Sequence, residues 1–229
     1  MNSNRRLVQT IINSLDIEKA RETAAMAVKF GSDQIGAGTS LLYSGGLVRV
    51  LPALKKIAGD IPVVADIKVH DGGGYFPVEA QKYGADFCTV STRMNYGCCR
   101  QAAQAHLLYG VTIIGDLCTV PENEIPHYVV ELQNIGLQSV CVHLTADEAR
   151  YYGRFRQAWD CVRTAKSVAK IPVGCVVRSF EDIRRALDEG SDWVAISGEM
   201  ADNGAENGYA DLKAAIEMVH DYHNRSAAQ

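Results

Sequence analysis

The sequence predicts a (β/α)8 TIM barrel, and three observations predict it. Short β-rich runs alternate with longer helical stretches along the whole chain, eight of each. The strand runs are continuous in apolar and β-branched residues, as parallel strands covered on both faces require. Eight such units account for the 229 residues, close to the length of a barrel of this kind. A doubly wound open sheet is the alternative. It usually carries a G-x-G-x-x-G turn after its first strand, and none stands there.

Taken in order, the first strand is LVQTIIN, residues 7–13, and Asp16 caps a helix over 16–31. SDQIGAG, 32–38, leads to a helix over 45–59, and IPVVADI, 61–67, to one over 76–84. ADFCTVS, 85–91, precedes a helix over 96–110, and VTIIGDL, 111–117, one over 121–136. QSVCVHL, 138–144, is followed by a helix over 151–170. IPVGCVV, 171–177, is followed by Ser179 as the cap of a helix over 180–190, with Asp182 in the capping-box place. SDWVAIS, 191–197, and a helix over 209–224 complete the set. Gly31, Gly59, Gly84, Gly110, Gly136 and Gly190 each stand where a helix needs a left-handed stop. No linker, repeat or biased tract interrupts the period, so residues 1–229 read as one domain, with a frayed polar tail after His223.

Composition narrows the function classes. The net charge is −4 and no basic stripe occurs, which argues against nucleic acid. No apolar run approaches the roughly 20 residues that span a bilayer. The opening MNSNRRLVQTIINSLD reads as a first strand and not as a signal peptide. The seven cysteines are odd in number and form no C-x-x-C pair, which excludes a zinc ribbon or a thioredoxin-type motif. They read as core thiols of a cytoplasmic protein.

A barrel of this kind carries its chemistry at the C-terminal ends of its strands. The third strand ends in PVVADIKVHDGGG, with Asp66, Lys68 and Asp71 within six positions. Alternation sends Asp66 and Lys68 to one side, where burial obliges them to pair. A lysine between Asp66 and Asp71 stays protonated and can stabilise a developing enolate or carbanion. A single Asp–Lys pair reads as a structural plug of the barrel mouth; D-x-K-x-x-D followed by three glycines reads as a site. His143 is a candidate general acid or base, and Asp116 on the neighbouring strand orients it or binds a substrate hydroxyl. Asn13, Thr39, Arg178, Ser197 and Gly198 stand at the ends of the first, second, seventh and eighth strands.

The stretch VVADIKVHDGG…AQKYGADFCTVS resembles the orotidine-monophosphate-decarboxylase suprafamily, whose third barrel strand carries D-x-K-x-x-D. SLDIEKA, GAGTSLLYSGG, GDLCTVPE and VCVHLTADE resemble its branch of 3-hexulose-6-phosphate synthase and 3-keto-L-gulonate-6-phosphate decarboxylase. The resemblance implies a carbon–carbon lyase with an enediolate intermediate. That enediolate adds to formaldehyde in the synthase and arises by loss of CO₂ in the decarboxylase. It further implies that Asp66 contacts Mg²⁺ or substrate hydroxyls, that Lys68 stabilises the enediolate, and that Asp116 holds the substrate. His143 would move protons, and Asp71 would complete the partner's site in a homodimer. Thr39, Asn13, Arg178 and Gly198 would bind substrate.

The chain departs from that pattern in four places. Asn13 stands where the branch has an Asp, unless a register shift of three brings Asp16 to the site. Gly36 stands where the family has a metal-holding Glu, which leaves Asp66 as the lone metal candidate. Val177 and Arg178 replace the glycines of the phosphate turn, and Glu199 replaces an Arg after Gly198. Arg178 then either grips an anion or pairs with Glu199. Ala146 stands where the decarboxylase has an Arg, and Asp116 where it has a Glu, both closer to the synthase pattern. Orotidine-monophosphate decarboxylase itself fits less well, since no second lysine stands on the second strand. A barrel that binds a ligand without turnover is the alternative function.

Overall fold

The computed structural model describes residues 6–93, 95–151, 159–202 and 207–226. Eight parallel strands close in sequence order: β1 Leu7–Ile12, β2 Gln34–Ala37, β3 Val63–Val69, β4 Phe87–Ser91, β5 Thr112–Asp116, β6 Ser139–Val142, β7 Val173–Val177 and β8 Trp193–Ile196. β8 pairs back onto β1, Val8 with Val194, so the open sheet is excluded. The larger helices around it are α1 Ile17–Lys29, α2 Thr39–Gly45, α3 Leu47–Ala58, α4 Phe76–Lys82, α5 Tyr96–Tyr109 and α6 Ile125–Asn134. Then come α7 Ala146–Tyr151, α8 Asp160–Lys166, α9 Phe180–Asp188, α10 Glu199–Asp202 and α11 Ala210–Ser226. No described helix is long and apolar enough to cross a membrane.

Strict alternation of eight helices is therefore too simple. Gly46, at φ 73°, separates α2 from α3, where one helix over 45–59 was expected. The helix expected over 151–170 is described only as α8; residues 152–158 lie outside the described residues. α7 begins earlier because Thr145 and Glu148 form a capping box: the Glu148 carboxylate takes the Thr145 N–H, and Thr145 Oγ1 takes the Glu148 N–H. The other box differs in detail. Ser179 Oγ takes the Asp182 N–H, but the Asp182 carboxylate reaches past the cap to the Arg178 N–H. All six glycines expected after helices have positive φ.

Two apolar layers build the core. The larger lies between strands and helices, where Val8, Ile35, Val63, Val90 and Val140 meet Ala24, Leu54, Leu132 and Ile183. The smaller fills the barrel itself, from Ile11, Val64, Ile114, Cys141, Val176, Trp193 and Ala195. Trp193 is its largest member and uses Gly174: a Cβ there would stand 2.1 Å from the indole. The indole N–H donates to Ser139 Oγ at 3.2 Å, so the buried nitrogen is satisfied. This plug closes the lower barrel and leaves the upper end for polar residues.

Candidate active site

β3 is regular as far as Ala65, which pairs with Cys88; the next pairing is Val69 with Val90. Between them Asp66, Ile67 and Lys68 stand against Thr89 alone, a bulge. Lys68 absorbs the extra length with φ at 50°, a left-handed backbone that costs a lysine about 1 kcal/mol or more. Thr89 ties the bulge together. Its hydroxyl donates to Asp66 Oδ1 at 2.9 Å and accepts the Lys68 N–H at 2.9 Å. Asp66 and Lys68 meet as strand alternation predicts, but across a bulge and not along a regular strand.

The Lys68 ammonium lies 2.7 and 2.6 Å from the two oxygens of Asp66, 3.0 Å from Thr39 Oγ1 and 3.8 Å from Asp116 Oδ2. Burial works against its charge, yet Asp66 and Asp116 outweigh burial and raise its pKa above the ordinary lysine value. Thr39 Oγ1 in turn donates to the Asp66 carbonyl at 2.7 Å, which fixes the start of α2 over the site. The second acid on Lys68 is thus Asp116, and not Asp71 as the sequence suggested. The chain past Val69 turns outward, and Asp71 is exposed with its carboxylate on the Gly72 N–H at 2.9 Å.

Asp116 is 3% exposed and serves three neighbours. Its Oδ2 faces His143 Nδ1 at 3.0 Å, and its Oδ1 accepts the Cys118 N–H at 2.8 Å. Burial alone would raise its pKa; His143, Lys68 and the Cys118 amide hold it down at about 2. A carboxylate can only accept, so His143 carries its proton on Nδ1 and presents Nε2 elsewhere. Burial pushes the Cys118 thiol up, with Asp116 adding to the shift.

The other side of the mouth carries an amide, an acid and a guanidinium. Asn13 follows β1, its amide donating to Ser197 Oγ at 3.2 Å and its N–H to Asp202 at 2.9 Å. Asp16 caps α1 through the Glu18 N–H, so the unshifted register holds and Asn13 is the residue at the mouth. Gly38 is required beside it, since a Cβ there would stand 2.2 Å from Asn13 Oδ1. Arg178 donates from Nη1 to the Leu144 carbonyl at 3.0 Å and packs beside Gly198, which has φ 73°. The Glu199 side chain, the other partner considered for Arg178, lies outside the described residues.

A cavity runs from Lys68, Asp116 and His143 down the barrel axis to Trp193. It offers about 20 Å³ to the centre of a water molecule, room for one or two waters. No side chain enters it from β2, because Gly36 has none. The Gln9 amide takes that space, with Nε2 2.5 Å from where a Gly36 Cβ would be. These donors do not fit a Mg²⁺ ion at Asp66: both its oxygens are held by Lys68, and Gly36 supplies no ligand. Asp116, Cys118 and His143 form the one cluster of possible metal ligands among the described residues, but the Lys68 cation beside Asp116 opposes a second cation there.

The structure brings Asp66, Lys68, Thr39, Asp116 and His143 together, and places Asn13, Arg178 and Gly198 at the same barrel end. Sequence reasoning missed Thr89, Gln9 and Asp202. Thr89 and Gln9 are polar residues inside apolar strand runs, a signal that was legible. Asp202 carries none; only the packing of α10 brings it to Asn13.

A family model described as the orotidine 5'-phosphate decarboxylase / HUMPS family matches residues 9–217. The chain belongs to this family. Among its members, 3-hexulose-6-phosphate synthase of Staphylococcus aureus is 28% identical over 199 residues, 85% of this chain and 90% of that one. A crystal structure of 3-hexulose-6-phosphate synthase superposes with TM-score 0.77 at 27% identity, covering 93% of this chain and 98% of the other. The fold is also that of 3-keto-L-gulonate-6-phosphate decarboxylase from Vibrio cholerae, with TM-score 0.72 at 19% identity over 94% and 99% of the two chains.

Proposed function

We propose that this carbon–carbon lyase forms an enediolate from a small sugar-derived ketone or β-keto acid at the mouth of the barrel. The observation that carries the reading is Lys68. It is a protonated ammonium between two buried carboxylates, held in strained backbone, with an oriented His143–Asp116 pair beside it. A lysine with a raised pKa is a poor base and a good fixed cation. It stabilises the oxyanion or carbanion that appears when the bond next to the carbonyl breaks. His143 moves a proton through Nε2, while Asp116 holds the ring in place. Asp66 and Thr39 keep the ammonium aimed.

Arg178 and Gly198 recognise the anionic end of the substrate, whether carboxylate or phosphate, and Asn13 a hydroxyl. The exposure of Asp71 supports a homodimer in which it enters the partner's site. The six buried cysteine thiols support a cytoplasmic protein.

The test is hydrogen exchange. Ribulose 5-phosphate and other small ketoses, with and without phosphate, are incubated with the protein in D₂O. NMR follows the hydrogens next to the carbonyl. Exchange that vanishes in Lys68→Ala supports the reading. Ligand binding without exchange on any compound would favour a barrel that binds without turnover.

A further inference from the structure

Arg178 is half-buried at the end of β7, and only part of its guanidinium is used. Nη1 donates to the Leu144 carbonyl, while Nε and Nη2 make no hydrogen bond to a described residue. Those two nitrogens form one edge of the fork, matched to the two oxygens of a carboxylate. The loops after the seventh and eighth strands are where barrels of this kind often hold a phosphate on backbone N–H groups. Here five of those groups are spent inside the protein. Arg178 gives its N–H to Asp182 Oδ2 at 3.1 Å, Asp182 to Ser179 Oγ at 3.1 Å, and Ser197 to the Val177 carbonyl at 3.0 Å. Ala201 and Asp202 both give theirs to the Gly198 carbonyl at 3.0 Å. Charge points the same way. Glu181 and Asp182 fill the first turn of α9, and Asp202 holds the Asn13 N–H at 2.9 Å. Burial works against the Arg178 charge and Asp182 supports it, so that carboxylate already answers the guanidinium. A phosphate dianion would bring a third oxygen that this edge cannot bind, and a second charge among three acids.

We propose that the β7–β8 end of the mouth takes a carboxylate and rejects a phosphate, so that the substrate is an unphosphorylated sugar acid. Its ketone faces Lys68, and its carboxylate, at the far end, lies on the Nε and Nη2 edge of Arg178. This rests on the enediolate reading above and names its substrate class. The carboxylate takes no part in bond breaking; it anchors the chain while the hydrogens next to the ketone exchange. Asp182 is a specificity residue: it fixes the Arg178 backbone and repels a second negative charge.

Fructuronate and ribulose 5-phosphate test it. Both are 1-hydroxy-2-ketones; the first ends in a carboxylate, the second in a phosphate that is a dianion at about pH 8. Calorimetric titration of the wild type is expected to give fructuronate a Kd at least about tenfold lower. Arg178→Gln should raise that Kd roughly 100-fold and erase the preference; Arg178→Lys, a point charge without the fork, should restore only part of it. Asp182→Asn keeps an oxygen for the Arg178 N–H. It should tighten ribulose 5-phosphate about tenfold and change fructuronate by about threefold or less. A merely structural Asp182 would move both ligands together. Equal or tighter binding of ribulose 5-phosphate by the wild type overturns the assignment. So does a failure of both compounds to bind, or a preference that survives Arg178→Gln. Hydrogen exchange in D₂O is read separately. Fructuronate bound through Arg178 yet never exchanged would sink the enediolate reading and leave the carboxylate end standing.

Discussion

Asp116 faces His143 Nδ1 at 3.0 Å with the same oxygen that lies 3.8 Å from the Lys68 ammonium. One buried carboxylate therefore sets the imidazole tautomer and helps keep the lysine charged. Asp116→Asn can donate to Nδ1 and so move the ring proton to Nε2, the nitrogen that faces the reaction. Lysine-dependent hydrogen exchange is expected to fall by about 100-fold or more. A loss under about tenfold would show that His143 needs no orienting acid.

The same residue sets an acid limit on stability. The Asp116 pKa is depressed from 3.8 to about 2 in the folded protein. A depressed carboxylate stabilises the fold above its unfolded pKa, and the contribution is lost as pH falls through the folded value. The expected contribution is about 2 kcal/mol at neutral pH, fading between about pH 4 and pH 2. Urea midpoints of wild type and Asp116→Asn across that range check it; parallel curves for the two proteins would refute it.

Lys68 serves stability and strain in opposite directions. Lys68→Ala leaves Asp66 buried without its cation and should cost about 3 kcal/mol, with loss of exchange. The φ of 50° suits glycine better than alanine. Lys68→Gly is thus expected to be more stable than Lys68→Ala by about 1 kcal/mol, the reverse of the usual order in a strand. Equilibrium unfolding of the two variants gives the sign directly.

If Asp71 completes the partner's site, two inactive variants rescue one another. Mixing Lys68→Ala with Asp71→Ala in equal amounts, with time for subunits to reassort, should restore about a quarter of wild-type exchange. No recovery from a mixture shown to form dimers would make Asp71 a residue of its own chain's site or of none.

Metal dependence follows from the occupied oxygens of Asp66. Chelation with EDTA should leave exchange within about twofold, and added Mg²⁺ should not raise it. A large drop restored by Mg²⁺ would mean that substrate binding frees Asp66 from Lys68.

The local period of the chain determined the barrel. Apolar runs, left-handed glycines and the Asp16 and Ser179 caps act within a few residues of each other, so eight strands and most helix ends are legible in the sequence. D-x-K-x-x-D and His143 are legible too, because the end of a barrel strand is the site by construction. Tertiary structure decided which acids meet which cation. Sequence order favoured Asp71 as the second partner of Lys68, but the bulge against Thr89 turns the lysine toward Asp116, 48 positions further along the chain yet 3.8 Å away across the barrel. It also decided what fills the space at Gly36. A missing side chain is visible in a sequence; the amide that takes its place, Gln9, is assigned only when the strands close and their inward faces meet. The physical reason is one of range: propensity and capping are local, while pairing and filled volume depend on closure.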